Sequence, residues 1–154
     1  MEDYMANRKQ HLAFGAAAGA AGYVAFVWIE QKQFSWAELL GYILGGSLGA
    51  MLPDMVEPAT HPNHRSFFHS QIFAVLAAKS AWEYSQQIRQ AELQRAEECV
   101  ASARLASSEE EASVWRWQAS CHSFFAGLLP GLVLGYGSHL AADAVTPKSL
   151  PLLC

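Results

Sequence analysis

All eleven glycines of this chain fall inside three of its apolar stretches, and most of them recur every fourth residue. Gly15 and Gly19 lie in the first stretch, Gly41, Gly45 and Gly49 in the second, and Gly127, Gly131 and Gly135 in the last. A period of four puts such glycines on one stripe of an α-helix, where the missing side chains let two backbones approach closely. Each glycine inside a helix costs about 1 kcal/mol relative to alanine, so the pattern makes sense only where the stripes pack together. It predicts closely apposed helices, and it favours a bilayer over a soluble bundle.

The hydropathy pattern points the same way. Residues 12–29 carry no charge and match the ~17–25 residues that cross a bilayer. A second apolar run covers 36–56, interrupted by Glu38, with Pro53 and Pro58 expected to end it and 58–63 to form a loop. A third, 67–82, is short for a span, and a fourth, 120–145, contains Pro130, where a kink is expected. Charged residues make up only 16% of the chain, against roughly 25% in an average soluble protein. The mean hydropathy is nevertheless a modest +0.09, because residues 82–118 concentrate 11 of the 24 charged residues. That segment lacks glycine and proline and is rich in Glu, Gln, Arg and Ala, which are strong helix formers. Ser108-x-x-Glu111 has the form of a capping box, which sets a turn near Ala106 and Ser107.

The expected fold is therefore all-α: a single domain over 1–154, a polytopic membrane bundle of about four apolar helices. Residues 82–118 are expected to protrude as a polar helical hairpin between the third and fourth. Arg8 and Lys9 before an apolar run resemble a signal peptide, but the run outlasts the ~7–15-residue core of one. It reads as a retained membrane segment.

In an up-down-up-down order, Trp28, Trp36, Trp82, Trp115 and Trp117 all fall on one side, as an interfacial aromatic belt would. The opposite side gathers ionisable residues. His11 begins the first run, Asp54 ends the second, His64 and His69 begin the third, and His139 and Asp143 end the fourth. Burying such groups among apolar helices is costly unless they pair or bind a cation. His139 and Asp143, four apart, share a helix face. Imidazole and carboxylate together suit zinc or a similar divalent metal. Six candidates (His11, Asp54, His64, His69, His139 and Asp143) exceed the ligands of one tetrahedral ion, so one or two ions are expected. Arg65 is placed to clamp an anionic substrate. Asp54 and Glu57 are the acids available to handle a proton. His61 reads as a loop residue and His122 as a core or interfacial one.

The net charge of −4 gives no electrostatic case for nucleic acid. Cys99, Cys121 and Cys154 show no metal-binding or disulfide spacing and read as ordinary thiols.

Taken in order, His11-Leu12-x-Phe14-Gly15, Leu52-Pro53-Asp54, His64-Arg65-x-x-x-His69-Ser70 and Gly135-Tyr136-x-Ser138-His139-Leu140-x-x-Asp143-x-x-Thr146-Pro147 resemble the YdjM-like family of bacterial inner-membrane, metal-dependent hydrolases. Leu150-Pro151-Leu152-Leu153 is similar to that family's closing segment. Val56 and Glu57 stand where the family has a second acid and a histidine, and Phe68 stands where it typically has threonine. The resemblance implies a multi-pass inner-membrane protein, a divalent-metal site from the matched residues, and hydrolase activity.

The leading expectation is a membrane-bound hydrolase acting on a phosphoester, such as a lipid headgroup, with its metal site on the cytoplasmic side. The alternative is a non-catalytic adaptor with a structural metal, which would bind a protein partner or a second copy through 82–118. A channel or transporter is disfavoured, because the ionisable residues cluster at one end instead of lining a path at mid-depth.

Overall fold

The computed structural model describes residues 2–56 and 71–144, with side chains described over 9–55 and 79–142. Its elements are all helical: α1 (Glu2–Glu30), α2 (Trp36–Gly49), α3 (Leu52–Val56), α4 (Gln71–Leu105) and α5 (Glu109–Ala144). Among the described residues there is no strand.

The glycine stripes decide which helices touch. A methyl group built on Gly41, Gly45 or Gly49 would overlap the carbonyl oxygen of Phe124, Leu128 or Leu132 respectively. Across the same interface, one on Gly127, Gly131 or Gly135 would overlap the carbonyl of Glu38, Tyr42 or Gly46. Both series advance together, so α2 and α5 run parallel with their backbones in contact. On the other flank of α2 the order reverses: Gly15 meets Gly46 and Gly19 meets Tyr42, so α1 is antiparallel to it. Carbonyl oxygens set against glycine Cα atoms at this range make weak Cα–H···O contacts as well as dispersion contacts. α2 is thus clamped on both sides.

Local chemistry sets the ends of these helices. α1 closes with Gln31 in the left-handed region, φ 52°, while the Lys32 N–H donates to the Val27 carbonyl at 3.2 Å. This is the Schellman arrangement with glutamine where glycine is usual. Ser35 then caps α2: its hydroxyl accepts the Glu38 N–H at 3.3 Å, and its own N–H donates to the buried Tyr23 hydroxyl at 2.6 Å. α4 and α5 form the expected antiparallel pair, turning at 106–108. The Glu111 N–H donates to Ser108 Oγ at 3.2 Å, and the Glu111 carboxylate accepts the Ser107 N–H and hydroxyl at 3.0 and 2.9 Å. Ala96, Cys99 and Ala119 pack under Trp115 between the arms. Cys99 and Cys121 are free thiols, as expected.

Three expectations are corrected. Among the described residues two helices, not four, are long and apolar enough to cross a membrane: 9–30 in α1 and 109–142 in α5. The second apolar run is not one helix, because α2 stops at Gly49 after 14 residues, about 21 Å. The break falls at Ala50 and Met51, ahead of Pro53. Pro53 instead sits in the first turn of α3, where a missing N–H costs nothing. The helical run of α5 includes Pro130, which is fully buried.

One of the five tryptophans leaves the expected belt. Arg89 of α4 pairs with Glu38 of α2, so Trp82, seven residues earlier, lies about 10 Å deeper toward the other end of the bundle. Trp28 and Trp36 flank the α1–α2 turn, and the parallel register that sets Gly41 against Phe124 and Gly127 brings Trp115 and Trp117 to the level of that turn. Alternation of helix direction gives the side a run ends on, but not the axial stagger between helices.

Candidate metal centre

At the end of the bundle remote from the α1–α2 turn, three elements converge. α1 contributes His11, 6% exposed, and α5 contributes His139, fully buried. The short α3 contributes Asp54, whose side chain is 37% exposed. One donor atom from each lies within 4.8 Å of the others. The two imidazole rings lie 4.2 Å apart between centroids and are tilted by 31°. His139 Nε2 is 3.7 Å from Asp54 Oδ1.

The orientation of His139 follows from the break between α2 and α3. Ala50, the residue that closes α2, turns its carbonyl oxygen to His139 Nδ1 at 2.7 Å. A carbonyl only accepts, so Nδ1 carries a proton, and Nε2 is the nitrogen turned toward the Asp54 carboxylate. A carboxylate facing this nitrogen is satisfied by a proton on Nε2 or by a metal ion held between the two. An imidazole whose Nδ1–H is fixed by a backbone carbonyl is a usual arrangement for a histidine that ligates through Nε2.

Two imidazoles and a carboxylate are donor types that divalent ions take. Bonds of about 2.0–2.2 Å in tetrahedral geometry separate ligand atoms by about 3.4 Å, close to the 3.7 Å between His139 and Asp54. Two imidazoles and a carboxylate would leave at least one coordination position for water or substrate. The exposed edge of Asp54 is the side from which either can enter.

Of the six residues expected as ligands, the structure brings together His11, Asp54 and His139. Asp143 lies on α5 one turn beyond His139, and its side chain is outside those described. His64 and His69 lie outside the described residues, as do Arg65, Glu57 and His61. The Ala50 carbonyl is a contributor that residue type alone cannot announce, since every residue has one. His122 has a different role, away from this end: its Nδ1 lies 2.7 Å from Glu92 Oε2, tying α4 to α5.

A second polar centre lies near the α1–α2 turn. Glu38 Oε1 accepts from Arg89 Nε at 2.7 Å and from Nη2 at 2.5 Å, with side chains only 5% and 2% exposed. The Arg89 guanidinium also lies 3.8 Å from the centroid of the Phe26 ring. In the sequence, Glu38 reads as a lone charge near the start of an apolar run; its partner is 51 residues away.

No curated protein and no solved structure matches the chain. The model of one family, described as YdjM inner membrane protein, matches residues 5–154. A match over nearly the whole length, covering all three elements that build the His11–Asp54–His139 cluster, shows that the chain belongs to the YdjM inner membrane protein family.

Proposed function

We propose that the chain is a multi-pass, divalent-metal-dependent hydrolase of the inner membrane, acting on a phosphoester carried by a membrane lipid. The observation that supports this reading is the convergence of His11, Asp54 and His139 from three separate helices into one donor set. Zinc is the ion that best suits two imidazoles and a carboxylate. His64, His69 and Asp143 complete the ligands of this ion or hold a second one. When bound, the ion supplies a Lewis acid that polarises a phosphoryl oxygen and acidifies a neighbouring water.

The remaining steps belong to the chain itself. His139, locked by the Ala50 carbonyl, holds one donor rigidly, so little reorganisation is needed on binding. Asp54, open on one side, has a second carboxylate oxygen to accept a proton, a task Glu57 can share. Arg65 orients the anionic group of the substrate. Phe14, one turn from His11, and Met55, beside Asp54, are 57% and 65% exposed. Such an apolar rim beside a polar site suits a headgroup whose acyl chains stay in the bilayer.

Purified protein is expected to carry at least one divalent transition metal per chain and to release phosphate or a phosphorylated headgroup from lipid vesicles. His139→Gln and His11→Gln keep size and polarity but ligate poorly, so each should lose metal and turnover while remaining inserted. Unchanged metal content in both variants would remove the donor set. A metal-depleted, well-folded His139→Gln protein with full cellular phenotype would remove the hydrolase. In that case, loss of phenotype on reversing charge at the exposed Glu97, Glu98, Glu109 and Glu110 would favour an adaptor working through the hairpin.

A further inference from the structure

The outward faces of the helices differ in kind at the same depth of the bundle. α1 exposes Phe14, Val24, Trp28 and Ile29, and α2 exposes Leu40, Leu44 and Leu48, as suits contact with lipid. α4 instead exposes, beside Trp82 and Tyr84, a polar stripe at helical spacing: Lys79, Glu83, Gln87, Gln90 and Gln94. Lys79 and Glu83 form an i, i+4 ion pair at 3.8 Å with side chains 83% and 59% exposed.

The part of this stripe from Lys79 to Gln87 does not lie beyond the apolar belt. The Glu38–Arg89 pair sets the register between the antiparallel α2 and α4. Counting back from it, Gln87, Glu83 and Lys79 lie at the depths of Leu40, Leu44 and Leu48, while Gln90 and Gln94 reach the level of the α1–α2 turn. A second pair gives a similar register through α5, since Glu92 meets His122 just before α5 reaches α2. An ion pair and the Gln87 amide turned toward hydrocarbon at the depth of three leucines are too costly to stand uncovered. Among the described residues the backbone of α4 packs on α5 alone, and no other described helix packs on its outer face.

We infer that the α4 stripe from Lys79 to Gln94 is the contact surface of a homodimer, two copies packing α4 against α4 within one bilayer. Copies sharing an orientation in one membrane are related by a two-fold axis along the membrane normal, which sets the two stripes side by side and parallel. The stripe suits itself. Lys79 and Glu83, one turn apart, can each reach the opposite charge on the second copy. Glutamine amides both donate and accept, so Gln87, Gln90 and Gln94 can bond across the axis to their own kind. The apolar faces of α1 and α2 then turn outward to lipid. The inference needs the membrane setting but not the metal reading, because no residue of the stripe belongs to the His11–Asp54–His139 cluster.

The test uses the full chain in its native membrane, in a background with Cys99, Cys121 and Cys154 replaced by alanine. Gln87→Cys and, separately, Gln90→Cys should oxidise to a disulfide-linked species of twice the monomer mass. Leu40→Cys, at the same depth on the lipid face, should stay monomeric. Lys79→Glu in the Gln87→Cys protein places like charges at the axis and should abolish the cross-link, and adding Glu83→Lys should restore it. Metal content should stay the same throughout, so loss of the dimer and loss of the metal site remain separable. Cross-linking of Gln87→Cys and Gln90→Cys no greater than that of Leu40→Cys would overturn the proposal. So would full labelling of both by a membrane-impermeant maleimide, which would show a water-facing surface. A cross-linked species of any other mass would assign the face to a different protein and also overturn it.

Discussion

His139 joins two requirements in one side chain. Its Nδ1 is held by a backbone carbonyl and its Nε2 is aimed at a carboxylate, so the residue links the end of α2 to the donor set. The glycines are equally specific at this scale. At Gly45 an added methyl would overlap the carbonyl oxygen of Leu128, a backbone atom that moves only if α2 moves off α5. At Gly137 an added methyl meets nothing within 4 Å. Gly45→Ala is therefore expected to destabilise the protein by about 1–3 kcal/mol, the usual cost of overpacking a close contact. Gly137→Ala should be neutral or stabilising by up to ~1 kcal/mol, from helix propensity alone. Denaturant titration of both variants in the same detergent checks the pair. Equal effects would show that α2 and α5 do not touch at this interface.

Among the described elements, α4 is the one whose backbone packs on a single neighbour. Its backbone packs along α5, and its reach to α2 runs through Arg89. An ion pair buried this deeply gains from mutual attraction but loses hydration, so its net worth is small while its completeness matters greatly. Arg89→Met alone strands the Glu38 carboxylate and should cost about 3–5 kcal/mol. Combining it with Glu38→Leu should return much of that loss, giving a large coupling energy in a double-mutant cycle. Additive single effects would show that the pair does not form. At the other end of α4 the hairpin turn is held by charge as well. Glu111 accepts the Ser107 backbone N–H and hydroxyl, and this holds its carboxyl below the usual glutamate range. The stability of that turn is therefore present at neutral pH and is lost as the medium acidifies through the lowered value.

Across the whole molecule, depth along the helices separates the two polar centres. From Trp28 to His11 along α1 is seventeen residues, about 26 Å, close to the ~30 Å hydrocarbon thickness of a bilayer. A bilayer crossed by α1 would leave the His11–Asp54–His139 cluster at one face and the α1–α2 turn at the other, with the α4–α5 turn further out on that second side. Arg8 and Lys9 precede His11 and favour the cytoplasm for the metal end, since short basic segments beside a span stay inside. The protein is expected to resist carbonate extraction, and a reporter fused after Cys154 should be active only if it works in the cytoplasm. Activity confined to a periplasmic reporter would invert the orientation.

The local patterns of the chain were enough to announce its helices, the turn at 106–108 and the stripes that pack α1, α2 and α5. Each of these follows from spacing along one helix. They also singled out six ionisable residues at the ends of apolar runs, of which the structure brings His11, Asp54 and His139 together. What the patterns could not carry is which helices are neighbours and how far each is shifted along its axis. The Glu38–Arg89 partnership, the depth of Trp82, the break at Ala50 and the polar stripe facing outward beside three leucines all depend on that shift. Side-chain periodicity determines the face a residue occupies; only packing across the glycine stripes sets its depth and its partner.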